Sequence, residues 1–152
     1  MDQFVTDIIQ QFTQIINEIP FNRILGLKIN TIERDHITMS FDMSHDLIGN
    51  FMHGILHGGV ISAVLDMTGG TAAMHCTIQK REGKSLEELS RVLSKASTIS
   101  MHVDYIHPGK GQHFIAKAWV LHSGNKITFT RMELHNQENV LIAAGTATYL
   151  LG

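Results

Sequence analysis

Residues 57–78 decide the fold, and they read His57-Gly-Gly-Val-Ile-Ser-Ala-Val-Leu-Asp66-Met-Thr-Gly-Gly-Thr-Ala-Ala-Met-His-Cys-Thr-Ile78. From Gly58 to about Ile78 apolar and small residues occupy nearly every side of a helical wheel. A surface helix would keep one polar face, so this pattern predicts a buried central helix. The rest of the chain is expected to wrap around it.

After residue 97 the sequence predicts four antiparallel strands joined by hairpin turns. The first strand alternates apolar and polar residues, which places them on opposite faces of a sheet. The alternation slips near Arg131, which suggests a bulge there. The predicted strands are residues 98–107, 112–122, 127–135 and 140–151.

Before the central helix the sequence predicts a helix and two further strands. Residues 3–19 carry apolar side chains at helical spacing, and Pro20 is expected to end that helix. The helix is expected to pack on the domain. A membrane-surface helix is disfavoured because the polar face carries acidic residues without Lys or Arg. Strands are expected at 26–32 and 36–43, and residues 47–50 are expected to form a loop.

Residues 80–96 differ from their surroundings because they are rich in charge. Ser85 and Glu88 have the spacing of a capping box and precede a short apolar repeat. We therefore expect a short helix inserted between the central helix and the next strand. Together these elements indicate an α+β fold, with an antiparallel sheet wrapped around one long helix.

Composition excludes several classes of function. The 152 residues suffice for one domain, and the net charge of −2 gives no general attraction for nucleic acid or anionic membrane. The single cysteine, Cys76, cannot form an internal disulfide and fits a reducing compartment. No apolar run has the length of a membrane span, and the N-terminus lacks a signal-peptide pattern. The expected location is the cytoplasm.

Asp66 is the only formally charged residue between Asp46 and Lys80. A carboxylate in the middle of an apolar helix has a high desolvation cost, so it must be hydrogen-bonded, paired or used in chemistry. On this ground alone a structural role and a functional role are about equally supported.

His57-Gly58-Gly59 opens the central helix. The first turn of a helix leaves backbone N–H groups unpaired, and glycine lets a ligand approach them. Such a helix start can polarise a thioester carbonyl and stabilise an oxyanion. A plain glycine-rich helix entry is the simpler alternative when this motif is taken alone.

Gly58 and Asp66 are eight residues apart, which corresponds to about 12 Å along a helix. One carbonyl group cannot contact both within a single subunit. Two antiparallel copies of the helix would place Gly58 of one subunit against Asp66 of the other. Small residues at 69–73 would allow the close approach. The spacing therefore predicts a homodimer with two shared sites, and leaves open whether dimers pair into tetramers.

The pattern Asn50…Gly54…His57-Gly58-Gly59…Leu65-Asp66…Gly69 resembles the signature of hotdog-fold acyl-CoA thioesterases, in particular the phenylacetate-pathway (PaaI-like) group. The element order over residues 21–151 is similar to that fold as well. The resemblance implies a hotdog thioesterase domain at 21–152, preceded by the N-terminal helix at 1–20, and residues 80–96 depart from the family pattern as an insertion. It also implies thioester hydrolysis without a cofactor.

The resemblance also implies roles for individual residues. Asp66 corresponds to the carboxylate that acts as nucleophile or general base, and Gly58 to the backbone donor to the thioester carbonyl. Thr98 corresponds to a hydroxyl that orients the attacking water, while His57 and Asn50 position the reacting groups. Asn50 lies one residue further from His57 than the family pattern has it.

Substrate contacts are expected next to these residues. The predicted contacts are Gly59, Leu56, Val60 and Met67, while Lys110 and Lys126 are candidates for the CoA phosphates. An apolar wall built from Ile55, Leu56, Val60, Val64, Met67 and Met74 favours a medium- to long-chain aliphatic acyl group over an aromatic one.

Three alternatives remain at this point. A 3-hydroxyacyl thioester hydratase or dehydratase on the same fold would use His57 with an acid. A non-catalytic acyl-CoA-binding module would keep the pocket and not need Asp66. A metal site is disfavoured although the chain has ten histidines, because zinc needs three or four converging ligands.

Overall fold

The computed structural model describes residues 3–81 and 83–152. The helices are α1 (Gln3–Glu18), α2 (Pro20–Leu25), α3 (Gly58–Lys80) and α4 (Leu86–Leu93). The strands are β1 (Lys28–Ile32), β2 (His36–Asp42), β3 (Ile48–Asn50), β4 (Ile55–Leu56), β5 (Ser97–Tyr105), β6 (His113–Ser123), β7 (Ile127–Asn136) and β8 (Leu141–Leu150). The predicted α+β class is confirmed.

Six strands form one antiparallel sheet in the order β1-β2-β6-β7-β8-β5. The buried central helix is confirmed as α3, which lies against this sheet. Apolar residues of both share the core, including Val64 and Leu65 from the helix and Met132 and Leu134 from the sheet. The helix is therefore held on one side by the sheet.

The N-terminal helix is confirmed, and it packs on the domain through Phe12 and Ile16. Pro20 ends α1 as predicted, but it also begins α2, where the missing N–H of the first helical residue costs nothing. Gly26 ends α2 with a φ of 67°, a left-handed conformation that favours glycine.

Two expectations about connections are wrong. Residues 47–50 are not a loop, because a short helical turn at His45–Leu47 leads into β3, which pairs with β4 as a small hairpin. The strand β5 does not form a hairpin with β6, because it pairs with β8 instead. The segment that links β5 to β6 passes the start of α3, where the Gly109 carbonyl oxygen accepts a hydrogen bond from the Leu56 N–H at 2.9 Å.

The expected bulge at Arg131 is also absent. Burial alternates without interruption along β7, with Thr128 and Thr130 buried and Phe129 exposed. The apolar pattern slips there because two threonines face the core. The pairing of β6 with β7 is irregular between Val120 and His122 instead, and the pairing of β7 with β8 is irregular between Leu134 and His135.

The insertion predicted at 80–96 contains α4, and its capping box is present. The Ser85 hydroxyl accepts from the Glu88 N–H, and the Glu88 carboxylate accepts from the Ser85 N–H. Among residues 3–81 and 83–152, no helix combines the length and apolarity needed to cross a membrane.

Candidate active site

Asp66 lies partly buried on α3 and faces the edge strand of the sheet. The Thr98 hydroxyl donates a hydrogen bond of 2.9 Å to Asp66 Oδ1. Thr98 is the second residue of β5, and it reaches the carboxylate because α3 packs across that strand. The structure therefore brings together these two predicted residues, which are 32 positions apart.

Tyr149 fixes the backbone at the same position. Its buried hydroxyl donates a 2.8 Å hydrogen bond to the Asp66 carbonyl oxygen. Burial, reinforced by the negative charge of Asp66, raises the pKa of Tyr149, so the phenol stays protonated and remains a donor. Gly69 makes room for this contact, because a Cβ there would lie 2.5 Å from the Tyr149 oxygen.

This packing gives two of the small residues at 69–73 a role within the chain itself. The space beside Gly69 and Gly70 is taken by Tyr149 of the same chain. These glycines therefore serve contact with the sheet. The sequence signal was present in the Gly69-Gly70 pair, but nothing in the pattern identified the tyrosine that fills the space.

The start of α3 carries a second group of candidate catalytic residues, separate from Asp66 and Thr98. His57 is the N-cap residue, and its Nδ1 accepts a 2.8 Å hydrogen bond from the Gly59 N–H. The Gly58 N–H donates to no acceptor within the described part of the chain. An unpaired N–H at a helix start is available to a ligand carbonyl oxygen.

Tyr105 and Ser62 also lie at this helix start, and sequence reasoning missed both. The Ser62 hydroxyl donates a hydrogen bond of 3.1 Å to the Gly58 carbonyl oxygen and forms a short hydrogen bond with the Tyr105 hydroxyl. The Tyr105 hydroxyl lies 3.3 Å from the same carbonyl. Its ring remains 55% exposed beside Gly58. A tyrosine ending a strand gives no sequence signal of this contact.

Asp66 and the candidate residues at the helix start are separated along α3. Gly58 is the first residue of the helix and Asp66 the ninth, so about 12 Å of helix lies between them. Within one subunit, Thr98 is hydrogen-bonded to Asp66, whereas the hydrogen bond between His57 and Gly59 lies at the helix start. One thioester carbonyl cannot contact both groups within a single chain.

Asn50 takes part in the hairpin that precedes α3. Its side-chain oxygen accepts from the Met52 N–H at 3.1 Å, and its carbonyl accepts from the Gly54 N–H at 2.9 Å. Gly49 lies so close to His57 that a Cβ would be 2.4 Å from the His57 Cα. The hairpin thus sets the position of His57, and Asn50 supports the turn.

The predicted substrate contacts fall into two groups. Leu56 is 4% exposed and packs beneath Gly109, and Val64 is wholly buried in the core. Val60 and Met67 are half-buried at the edge of that core. The first two therefore act in packing, and the second two retain accessible surface.

Lys110 and Lys126 lie at opposite ends of α3. Lys110 follows Gly109, which contacts Leu56 at the helix start. Lys126 lies in the turn after Ser123, whose carbonyl oxygen accepts a short hydrogen bond from the Lys80 ammonium at the helix end. The structure does not bring the two predicted phosphate contacts together within one subunit.

The histidines do not assemble a metal site in the part of the chain that the structure describes. No three side chains of the His, Cys, Asp or Glu type cluster there. His53 lies in the hairpin turn, where its N–H donates to the Asn50 carbonyl. The geometry instead offers a carboxylate, a hydroxyl and a free backbone donor.

Comparison with known proteins agrees with this fold. The family profile described as Thioesterase superfamily matches residues 53–143. Over 137 residues the chain is 39% identical to the medium/long-chain acyl-CoA thioesterase YigI of Escherichia coli strain K12, covering 90% of this chain and 88% of that protein. The YigI protein of Salmonella typhimurium matches at the same identity and coverage.

A solved structure extends the agreement to the whole chain. A Shewanella oneidensis protein related to the thioesterase superfamily superposes with a TM-score of 0.94 at 37% identity, covering 100% of both chains. The resemblance drawn from residues 50–69 and the predicted enzyme class, a thioester hydrolase, are thereby confirmed. The chain belongs to the thioesterase superfamily and has its hotdog fold.

Proposed function

We propose that this protein hydrolyses medium- to long-chain aliphatic acyl-CoA to the free acid and CoA. The observation that carries the proposal is the Asp66 carboxylate, oriented by the Thr98 hydroxyl at 2.9 Å. The chain-length range is supported by the acyl-CoA thioesterases of Escherichia coli and Salmonella typhimurium, which are 39% identical.

The reaction follows from the groups available. The Gly58 N–H donates to the thioester carbonyl oxygen and stabilises the negative charge that develops there. Asp66 either removes a proton from an attacking water or attacks the carbonyl carbon itself. When water attacks, the carbon–sulfur bond breaks to release the free acid, and the CoA thiolate takes up the proton that Asp66 removed from the water. When Asp66 attacks, the carbon–sulfur bond breaks to leave a mixed anhydride on Asp66, and water hydrolyses this anhydride to the free acid, restores the carboxylate and supplies the proton for the thiolate. Thr98 keeps one carboxylate oxygen oriented throughout.

A homodimer completes the site in this proposal. Strand β5 is one of the two outer strands of the sheet, and its Ile99 side chain is 54% exposed. An edge strand presents unpaired backbone N–H and C=O groups, which can pair with a strand of another chain. Pairing of two β5 edges around a two-fold axis brings the helices side by side in opposite directions. Gly58 of each subunit then faces Asp66 of its partner.

The proposed reaction takes place in the cytoplasm. The free Cys76 supports this location, since unpaired cysteines are typical of a reducing compartment.

The test is release of free thiol from acyl-CoA substrates by the wild-type protein and by Asp66→Asn. Asparagine keeps an oxygen that can accept the Thr98 hydrogen bond, but it cannot act as a base or nucleophile. We expect turnover to fall by at least about 10² while the dimer persists. Asp46→Asn, an exposed carboxylate before β3, is the matched control and keeps full turnover.

Three results would contradict the proposal. An unchanged rate in Asp66→Asn would exclude the carboxylate mechanism. Loss or gain of enoyl absorbance without release of thiol would instead identify the hydratase or dehydratase reaction. Binding of acyl-CoA with no hydrolysis at any chain length would identify a binding module.

A further inference from the structure

An apolar groove of about 390 Å³ lies between α1, the second half of α3 and α4. This volume falls within the range of about 300–1,000 Å³ typical of small-molecule sites. No lining residue carries a formal charge. The lining residues are Ile8, Gln11, Phe12, Ile15, Ile16, Ile19, Met74, Ile78, Leu86, Leu89, Ser90, Leu93 and Ser94.

The groove and the candidate carboxylate share one ridge of α3. Asp66, Gly70, Met74 and Ile78 follow one another at four-residue intervals, which places them in one row along the helix. Met74 lines the groove about 12 Å beyond Asp66, and Ile78 lines it about 18 Å beyond. Gly70 lies half-buried between Asp66 and Met74, with the Tyr149 ring packed against one side of it.

The end of α4 lines the groove and lies close in sequence to Thr98. Leu93 and Ser94 line the groove at the end of that helix. Only four residues further along the chain, Thr98 donates its hydrogen bond to Asp66. Both α3 and the segment that follows α4 therefore connect the groove to residues of the candidate site.

We propose that this groove receives the distal carbons of a straight aliphatic acyl chain whose thioester lies at Asp66. The inference rests on the proposed function and identifies the part of the molecule that selects chain length. An extended chain advances about 1.2 Å per covalent bond, so about ten carbons reach Met74 and about fifteen reach Ile78. Short and aromatic acyl groups end before the groove begins.

This assignment gives the 80–96 insertion a role in substrate selection. Leu86 and Leu89 of α4 close one side of the groove, and Ile15 of α1 forms the opposite rim at 64% exposure. An exposed isoleucine beside a cavity without charge is suited to an apolar ligand. A long acyl chain covers this surface when it binds.

The test fills the groove without changing the catalytic groups. Ser90 lies exposed on α4 and lines the groove, so Ser90→Trp places a bulky ring inside it. Glu87→Trp, on the same helix but outside the groove lining, is the matched control. The measurement is kcat/KM for octanoyl-CoA and palmitoyl-CoA by thiol release.

We expect Ser90→Trp to lower kcat/KM for palmitoyl-CoA by at least about tenfold and to leave octanoyl-CoA unchanged. Each methylene kept out of an apolar site costs about fourfold, so excluding two or more gives that loss. Glu87→Trp changes neither. An unchanged palmitoyl rate in Ser90→Trp, or an equal loss for both substrates, would overturn the assignment.

A second readout separates the groove from the proposed function. In a Cys76→Ala background, Ser90→Cys introduces a thiol whose labelling rate reports occupancy of the groove. A palmitoyl-CoA thioether, which cannot be hydrolysed, is expected to slow labelling, while the octanoyl thioether does not. Equal labelling with both would refute the groove even if hydrolysis occurs. Protection without any hydrolysis would refute the proposed reaction and keep the groove.

Discussion

Replacing Gly69 with alanine tests whether Tyr149 fixes the middle of α3. The new Cβ would lie 2.5 Å from the Tyr149 oxygen and 3.0 Å from both Met132 Sδ and Thr130 Oγ1. All three neighbours are buried, and Tyr149 is held by its hydrogen bond to the Asp66 carbonyl. The tyrosine must move, and the hydrogen bond is lost or lengthened.

The magnitude follows from three contributions. Overpacking a buried site costs about 1–3 kcal/mol. Weakening the tyrosine hydrogen bond adds about 1 kcal/mol. Alanine gains about 1 kcal/mol over glycine inside a helix, which offsets the second contribution. We therefore expect Gly69→Ala to lower the free energy of unfolding by about 1–3 kcal/mol.

Gly70→Ala is the matched control. Its Cβ would lie 3.3 Å from Tyr149 Cε1, so a small adjustment suffices. The gain in helix propensity then makes this variant as stable as the wild type or up to about 1 kcal/mol more stable. The two adjacent substitutions differ only in what their methyl groups meet.

The assay is urea denaturation at one fixed protein concentration, in wild-type and Tyr149→Phe backgrounds. Without the tyrosine oxygen, Gly69→Ala is expected to cost measurably less than in the wild type. Thiol release is measured on the same samples, because movement of the Asp66 backbone displaces its carboxylate. An unchanged stability of Gly69→Ala, or an equal cost in both backgrounds, would refute the reasoning.

Three further predictions concern other parts of the structure. Thr98→Val removes the hydrogen bond to Asp66 and should lower turnover by about 10- to 100-fold, whereas Thr98→Ser keeps it; equal rates would contradict this. Burial lowers the pKa of His75 below its usual 6.5, so the unfolded protein binds the extra proton on acidification. Thermal stability should therefore fall as the pH drops below about 6.5, and His75→Leu should flatten this dependence, unlike the exposed His53→Gln. Ile99→Lys puts a charge on the β5 edge and should shift the sedimentation coefficient toward the monomer; an unchanged dimer would exclude pairing through that edge.

The features that were predicted from sequence depend on local pattern. The continuous apolar character after Gly58 identified α3, and the Ser85–Glu88 spacing identified the cap of α4. Both signals lie within one or a few turns of helix. The lone charge at Asp66 likewise marked its position without reference to any distant residue.

The features that were missed depend on contacts between distant segments. The pairing of β5 with β8 instead of β6 is decided by how the chain crosses near Gly109, which alternation along a strand does not encode. Tyr149 donates a hydrogen bond to the Asp66 carbonyl oxygen, although the two residues are 83 positions apart in the sequence. The buried Thr128 and Thr130 interrupted the apolar pattern of β7 and led to the predicted bulge, because hydropathy alone does not report burial.

The proposed shared site requires the Gly58 N–H as a hydrogen-bond donor. A single substitution can remove this donor. Gly58→Pro removes that donor at the first helical position, where proline fits the helix. His57 precedes it in an extended conformation (φ −62°, ψ 136°), which a following proline requires. A Cβ at this position would lie 3.5 Å from the Tyr105 ring, an ordinary contact. The variant is expected to fold and to lose activity.

The most direct measurement mixes inactive Gly58→Pro subunits with inactive Asp66→Asn subunits and records thiol release after subunit exchange. If each site joins Gly58 of one subunit to Asp66 of the other, every hybrid dimer has one intact site. Random exchange makes half of the dimers hybrids, so activity should return to about a quarter of the wild-type value. If both groups act within one chain, every site keeps one defect, and no recovery would contradict the shared site.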